Sequence, residues 1–156
     1  VLVMIKRLLP VAGALVVLSA SVCAQCLKYE PQTVTLSGTL VRQSFPGPPN
    51  YESIAKGDRR ERVWILILRK PICVEVADHF DVHEEGQTQV QLVLEPRQYT
   101  NFRKFVGKKV TATGTLFHSF NGHHRKPLLL TTREIRRTAS AHRGKPQSGF
   151  NVYRSY

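Results

Sequence analysis

Apolar residues recur at every second position in the stretch that most restricts this chain. Between Thr33 and Val41, Val34, Leu36 and Leu40 alternate with Thr35, Ser37 and Thr39. A period of two puts one face of a strand against a core and the other in water. Gly38 sits mid-strand, where a bulge or a barrel corner is the usual cause. The same pattern returns later. Val34-Thr-Leu-Ser-Gly-Thr-Leu40 and Val110-Thr-Ala-Thr-Gly-Thr-Leu116 share V-T-x-[S/T]-G-T-L. Two glycine-kinked strands of one pattern suit a small, strongly curled barrel.

The remaining segments set the element order. A long loop is expected from Ser44 to Arg62, with Pro46-Gly47-Pro48-Pro49 and the charged run Asp58 to Arg62. Val63 to Leu68 is a continuous apolar run of strand length and is expected to be central and covered on both faces. Asp78 to Thr88 reads as a polar, acidic loop, and Val90, Leu92 and Leu94 alternate as a third strand. Glu95-Pro96 opens a short helix, since proline suits a first helical turn, and Tyr99, Phe102 and Val106 are spaced for one face. Gly107 is the stop signal. Lys109 to Phe117 and Leu128 to Ile135 are the fourth and fifth strands, joined through the turn signal Asn121-Gly122. Three strands, a helix, then two strands predict a mainly β fold. The expected form is a small five-stranded OB-like barrel with one short helix between strands three and four. A sandwich would want more strands. A ferredoxin-like fold would want a helix where Pro46 to Pro49 block one.

The ends read differently. Lys6 and Arg7 precede an uncharged run from Leu8 to Ala20, and Val22-Cys23-Ala24 fits the small-x-small cleavage rule. Residues 1–24 are therefore expected to be a secretory signal peptide, with export to the periplasm or medium. Pro10, Gly13 and the short apolar run argue against a spanning helix. The domain is expected over residues 25–137. Residues 138–156, rich in Ser, Gly, Arg and Lys, are expected to be a flexible basic tail. Cleavage removes Cys23 and leaves Cys26 and Cys73, which in an exported protein most simply pair.

Charge narrows the function classes. Lys and Arg total 23 against 11 Asp and Glu, a formal net charge of +12. Arg59, Arg60 and Arg62 fall in the first long loop, and Arg125 and Lys126 in the loop between the last two strands. In OB-type barrels these loops border the face that takes oligonucleotides or oligosaccharides. Tyr51, Phe45 and Phe120 can supply stacking surfaces beside the guanidinium groups. The binding set expected is Tyr51, Arg59, Arg60, Arg62, Phe120, Arg125 and Lys126. Outside the cytoplasm, an anionic glycan, another envelope polymer or an acidic protein is a better partner than nucleic acid. A second expectation is a divalent-metal site on His118, His123 and His124, which flank the final turn, because neutral imidazoles ligate zinc, copper or nickel. Asp78-His79-Phe80-Asp81-Val82-His83-Glu84-Glu85 matches no calcium loop and reads as a solvated segment. A third reading is an exported inhibitor or assembly factor whose loops meet a protein. No nucleophile elbow, zinc-protease helix motif or phosphate loop occurs, so the chain is expected to be a binding protein rather than an enzyme and to hold no organic cofactor.

The stretch Val106-Gly-Lys-Lys-Val-Thr-Ala-Thr-Gly-Thr-Leu-Phe-His-Ser-Phe-Asn-Gly-His-His-Arg-Lys-Pro-Leu-Leu-Leu130 resembles a bacterial exported family known as domain of unknown function 4431. Its mark is a G-T-L-F-H strand end followed by a His-rich turn and an apolar strand. Phe45 to Tyr51, Val63 to Val74 and Gln91 to Leu94 look similar to other segments of that family. The resemblance implies an exported protein and transfers no activity.

Overall fold

The computed structural model describes residues 26–76 and 82–138. The expected leader, all of the expected tail except Thr138, and the acidic stretch from Asp78 to Asp81 lie outside the described residues.

Six strands form one sheet: β1 (Leu27–Lys28), β2 (Thr33–Pro46), β3 (Arg60–Glu75), β4 (Glu84–Val93), β5 (Lys109–His118) and β6 (Leu128–Arg137). Their order is β1-β3-β2-β5-β6-β4, and β4 also pairs with β3, which closes β3-β2-β5-β6-β4 into a ring. The helix α1 (Pro96–Phe102) lies between β4 and β5. Leaving aside the two-residue β1, this is the expected order of three strands, a helix and two strands. The closing seam is the parallel pairing of β4 with β6, Gln91↔Leu129 to Val93↔Thr131.

The alternating residues fill the ring as their period requires. Val34, Leu36, Leu40, Leu66, Val90, Leu92, Val110, Ala112 and Leu116 are all buried in one cluster. Phe102, Phe105 and Val106 close one end of it. The Tyr99 ring meets the core residue Trp64 edge-on at 5.5 Å and stays partly exposed. Gln98 anchors α1 at both ends of its own side chain. Its Oε1 accepts the Glu95 N–H at 2.8 Å, and its Nε2 donates to the Thr132 carbonyl of β6 at 3.1 Å.

The two mid-strand glycines mark close backbone crossings. A Cβ on Gly38 would stand 2.3 Å from the Ile67 carbonyl oxygen, and one on Gly114 2.0 Å from that of Thr131. Gly38 is also where β2, paired with β5 from Thr33 to Thr39, takes up β3 as well. The repeated motif therefore places glycine where the sheet curls most tightly.

Three expectations change. The loop expected from Ser44 to Arg62 is shorter, because β2 and β3 keep pairing to Pro46↔Arg60. Arg60 and Arg62 consequently sit on β3 and not in a loop. The polar stretch before Val90 is strand from Glu84 onward, since Gln87, Gln89 and Glu84 find ladder partners on β3. Within the run from Val63 to Leu68, Trp64, Ile65 and Leu66 are buried while Ile67 is exposed. Cys26 and Cys73 are joined by a disulfide, which holds β1 alongside the end of β3 at Leu27↔Val74. Among the described residues no helix is long and apolar enough to cross a membrane.

Candidate functional site

The β2–β3 loop is organised by one carboxylate. Asp58 is buried and accepts backbone N–H groups from Asn50 at 2.9 Å and from Glu52 and Ser53 at 2.8 Å each. These bonds, Ser53 foremost, hold its carboxyl below the ordinary range. Arg59 fastens the loop base through its main chain, donating to Pro48 and accepting from Gly47, with its side chain exposed.

The β5–β6 loop folds against this one through Glu61. Arg125 Nη2 donates to Glu61 Oε2 at 2.6 Å and to the Pro46 carbonyl at 2.7 Å. His123 Nδ1 lies 2.8 Å from Glu61 Oε1, and Tyr51 Oη lies 3.4 Å from His123 Nε2. The Glu61 carboxylate thus accepts from Nδ1–H, and the phenol lies beside the other ring nitrogen. The Arg125 guanidinium sits 5.1 Å from the Tyr51 ring centre and 5.7 Å from that of Phe45. Gln91 clamps the turn from below, donating to the His123 carbonyl and accepting from the Arg125 N–H at 2.6 Å. Burial opposes ionisation of Glu61, but the bonds from Arg125 and His123 outweigh it and lower its pKa.

This geometry redistributes the expected binding set. The two loops do meet. Tyr51 and Arg125, however, are spent on each other, Tyr51 also on His123 and Arg125 on Glu61, and the Arg125 side chain is only 11% exposed. An anion would have to displace Glu61 to reach it. Lys126 lies against Phe45 at 5.7 Å. Phe120 projects from the turn, 77% exposed, with Phe117 and His124 as ring neighbours. Arg60 and Arg62 are exposed on β3.

The expected histidine ligand set is not assembled. Among the described residues no three of His, Cys, Asp and Glu converge as a metal-holding group. Separate partners hold each ring. His118 Nδ1 is 3.0 Å from Glu84 Oε1, an ion-pair distance without hydrogen-bond geometry. His123 turns to Glu61, and His124 Nδ1 accepts the Phe120 N–H at 3.0 Å. Desolvation, then the nearby charge of His123, lowers the His124 pKa.

A basic groove lies elsewhere, between the inner face of the β2–β3 ribbon and α1. Arg42, Arg62, Trp64, Tyr99, Thr100 and Arg103 line a space of about 420 Å³, and Ser44 and Val106 continue it. Arg42 pairs with Trp64 and Ser44 with Arg62 in the ladder, which puts all four on one side. No carboxylate lines either part of the groove among the described residues. Sequence reasoning named Arg62 and missed Arg42, Trp64, Tyr99 and Arg103 as site residues. A signal was present: Arg42 stands two residues after the inward Leu40, and Arg62 two before the inward Trp64. An arginine on the core-facing parity marks the open end of a sheet.

Comparison with known families bears on one segment, under a third of the chain, that carries α1, β5 and most of β6. Residues 89–136 match the family described as domain of unknown function (DUF4431). The matched segment runs from the ladder residue Gln89 through the helix, the Gly114 crossing and the His-rich turn to Arg136. No curated protein matches the chain.

Proposed function

We propose that this protein is an exported binding module that holds an anionic polymer, an acidic glycan first of all, in the groove between β2–β3 and α1. The observation that carries this reading is the convergence of Arg42, Arg62 and Arg103 on a space with no lining carboxylate, floored by Trp64 and Tyr99. Guanidinium groups pair bidentately with carboxylate, sulfate or phosphate groups, and the face of an aromatic ring beside them takes the apolar face of a sugar ring. Arg60, exposed on β3 with the same parity as Arg62, would extend contacts along a longer chain. Export is supported by the basic-then-apolar N-terminus and by the Cys26–Cys73 bridge, which persists in oxidising compartments. Mass spectrometry of the exported form should find a chain starting near Gln25.

The binding test is calorimetric titration with a uronate oligosaccharide and its neutral analogue at two salt concentrations. Affinity for the acidic ligand should fall with salt. Arg62→Ala and Arg103→Ala should each weaken it about fivefold, near 1 kcal/mol. Equal binding of the neutral analogue, or wild-type affinity in both variants, would overturn the reading.

A further inference from the structure

Among the described residues, β2 is paired on one side only along part of its length. From Thr33 to Ser37 it bonds to β5, and β3 joins it only from Gly38↔Leu68 onward. Beyond Leu68, β3 turns away: Ile72 and Val74 pair with β4, and Val74 and Glu75 with β1. The ladder slips register between Ile67 and Ile72 and again before Val74. Pro71, with no N–H to give, falls inside the slip. The strands thus part and leave a cleft of about 590 Å³. Leu27, Leu36, Leu68 and Ile72 supply its apolar floor, and Arg69 and Lys70 stand exposed at its rim.

We infer that this cleft receives an extended acidic peptide, which adds to β2 as a strand. The unpaired edge of Thr33–Ser37 would supply the main-chain hydrogen bonds of such an addition, over roughly 16 Å at the rise of a strand. Alternate side chains of the guest would enter the apolar floor, and the others would face the rim. The rim selects charge, since the residues lining the cleft include Arg69 and Lys70 and no carboxylate. This site is separate from the arginine groove and does not depend on the polymer reading.

The test is an amide NMR titration of the protein with a short peptide of alternating valine and glutamate, against one of alternating valine and lysine. The glutamate peptide should give saturable shifts at Thr33 to Ser37 and slow amide exchange there. The double variant R69E/K70E, altered only at exposed rim positions, should lose about tenfold in affinity for the glutamate peptide and gain for the lysine one. Equal binding of both peptides, or shifts confined to another surface, would overturn the inference. So would strong protection, before any peptide is added, of those amides of Thr33 to Ser37 that point away from β5, because that edge would then be filled by the chain's own flanking residues or by a second copy.

Discussion

Glu61 carries two opposite roles in one side chain. It is partly exposed, which usually makes an ion pair weak, yet it meets a nearly buried guanidinium and an imidazole at once. Removing Arg125 leaves the largely desolvated carboxylate with only the exposed His123 beside it. Arg125→Ala should therefore destabilise the fold by about 2–3 kcal/mol, read from urea denaturation. Arg59→Ala, which removes only an exposed side chain, should stay within about 0.5 kcal/mol of wild type. The titrations share a sign. Asp58, Glu61 and His124 all have pKa values lowered by folding. Each group's contribution is complete above its unfolded pKa and is lost as pH falls through its folded value. For His124 the decline begins below its ordinary 6.5. Protonation there also takes away the acceptor of the Phe120 N–H. Proton NMR should find the His124 ring titrating below that value. A titration at or above it would mean that the turn does not hold the ring as described.

Strand crossings dominate at the scale of elements. Gly38 and Gly114 meet carbonyl oxygens of neighbouring strands, which cannot swing away as a side-chain end can. Gly38→Ala and Gly114→Ala should each cost about 2–3 kcal/mol in thermal or urea unfolding. Gly122→Ala is the control, because its Cβ would rest 3.4 Å from the Tyr51 ring in ordinary contact. The strands themselves were largely legible from alternation, as was the helix start at Pro96; the stop expected at Gly107 was late, because α1 ends at Phe102 and a separate 3-10 turn, Arg103–Phe105, fills the interval. Strand ends were not legible. The ribbon from Arg42 to Pro46 and from Arg60 to Trp64 is polar along most of its length, so apolar period could not show that it pairs. Turn residues at Pro46-Gly47 suggested an earlier loop, and cross-strand hydrogen bonding overrode them.

At the scale of the whole molecule, a ring of strands is closed by few contacts. One short parallel seam joins β4 to β6, and one disulfide staples β1 to the far end of β3. The bridge spans a sequence separation of 47 residues. Its removal should cost about 4 kcal/mol through the restored freedom of the unfolded chain. Cys26→Ser with Cys73→Ser should show this as a lowered melting temperature. An unchanged one would mean that the ring closes without the staple. The basic groove is a product of the same closure, since it brings Arg103, beyond α1, opposite Arg42 and Arg62.

The periodicity of Thr33 to Leu40 and Val110 to Leu116, with glycine at matching positions, was enough to specify curled strands and a mainly β fold, because side-chain alternation is local to the strand. The cysteine pair was legible on the expectation that Cys23 leaves with the leader, because the two remaining thiols then have one intramolecular partner each. Only the tertiary structure decided which charges are free. Arg125 looked like a ligand-binding cation until Glu61, sixty-four residues away in sequence, closed on it at 2.6 Å. Arg42 and Arg103, sixty-one positions apart, line one groove only through the register of β2 with β3 and the seat of α1. Ion pairing depends on distance through space, and a sequence carries distance only along the chain.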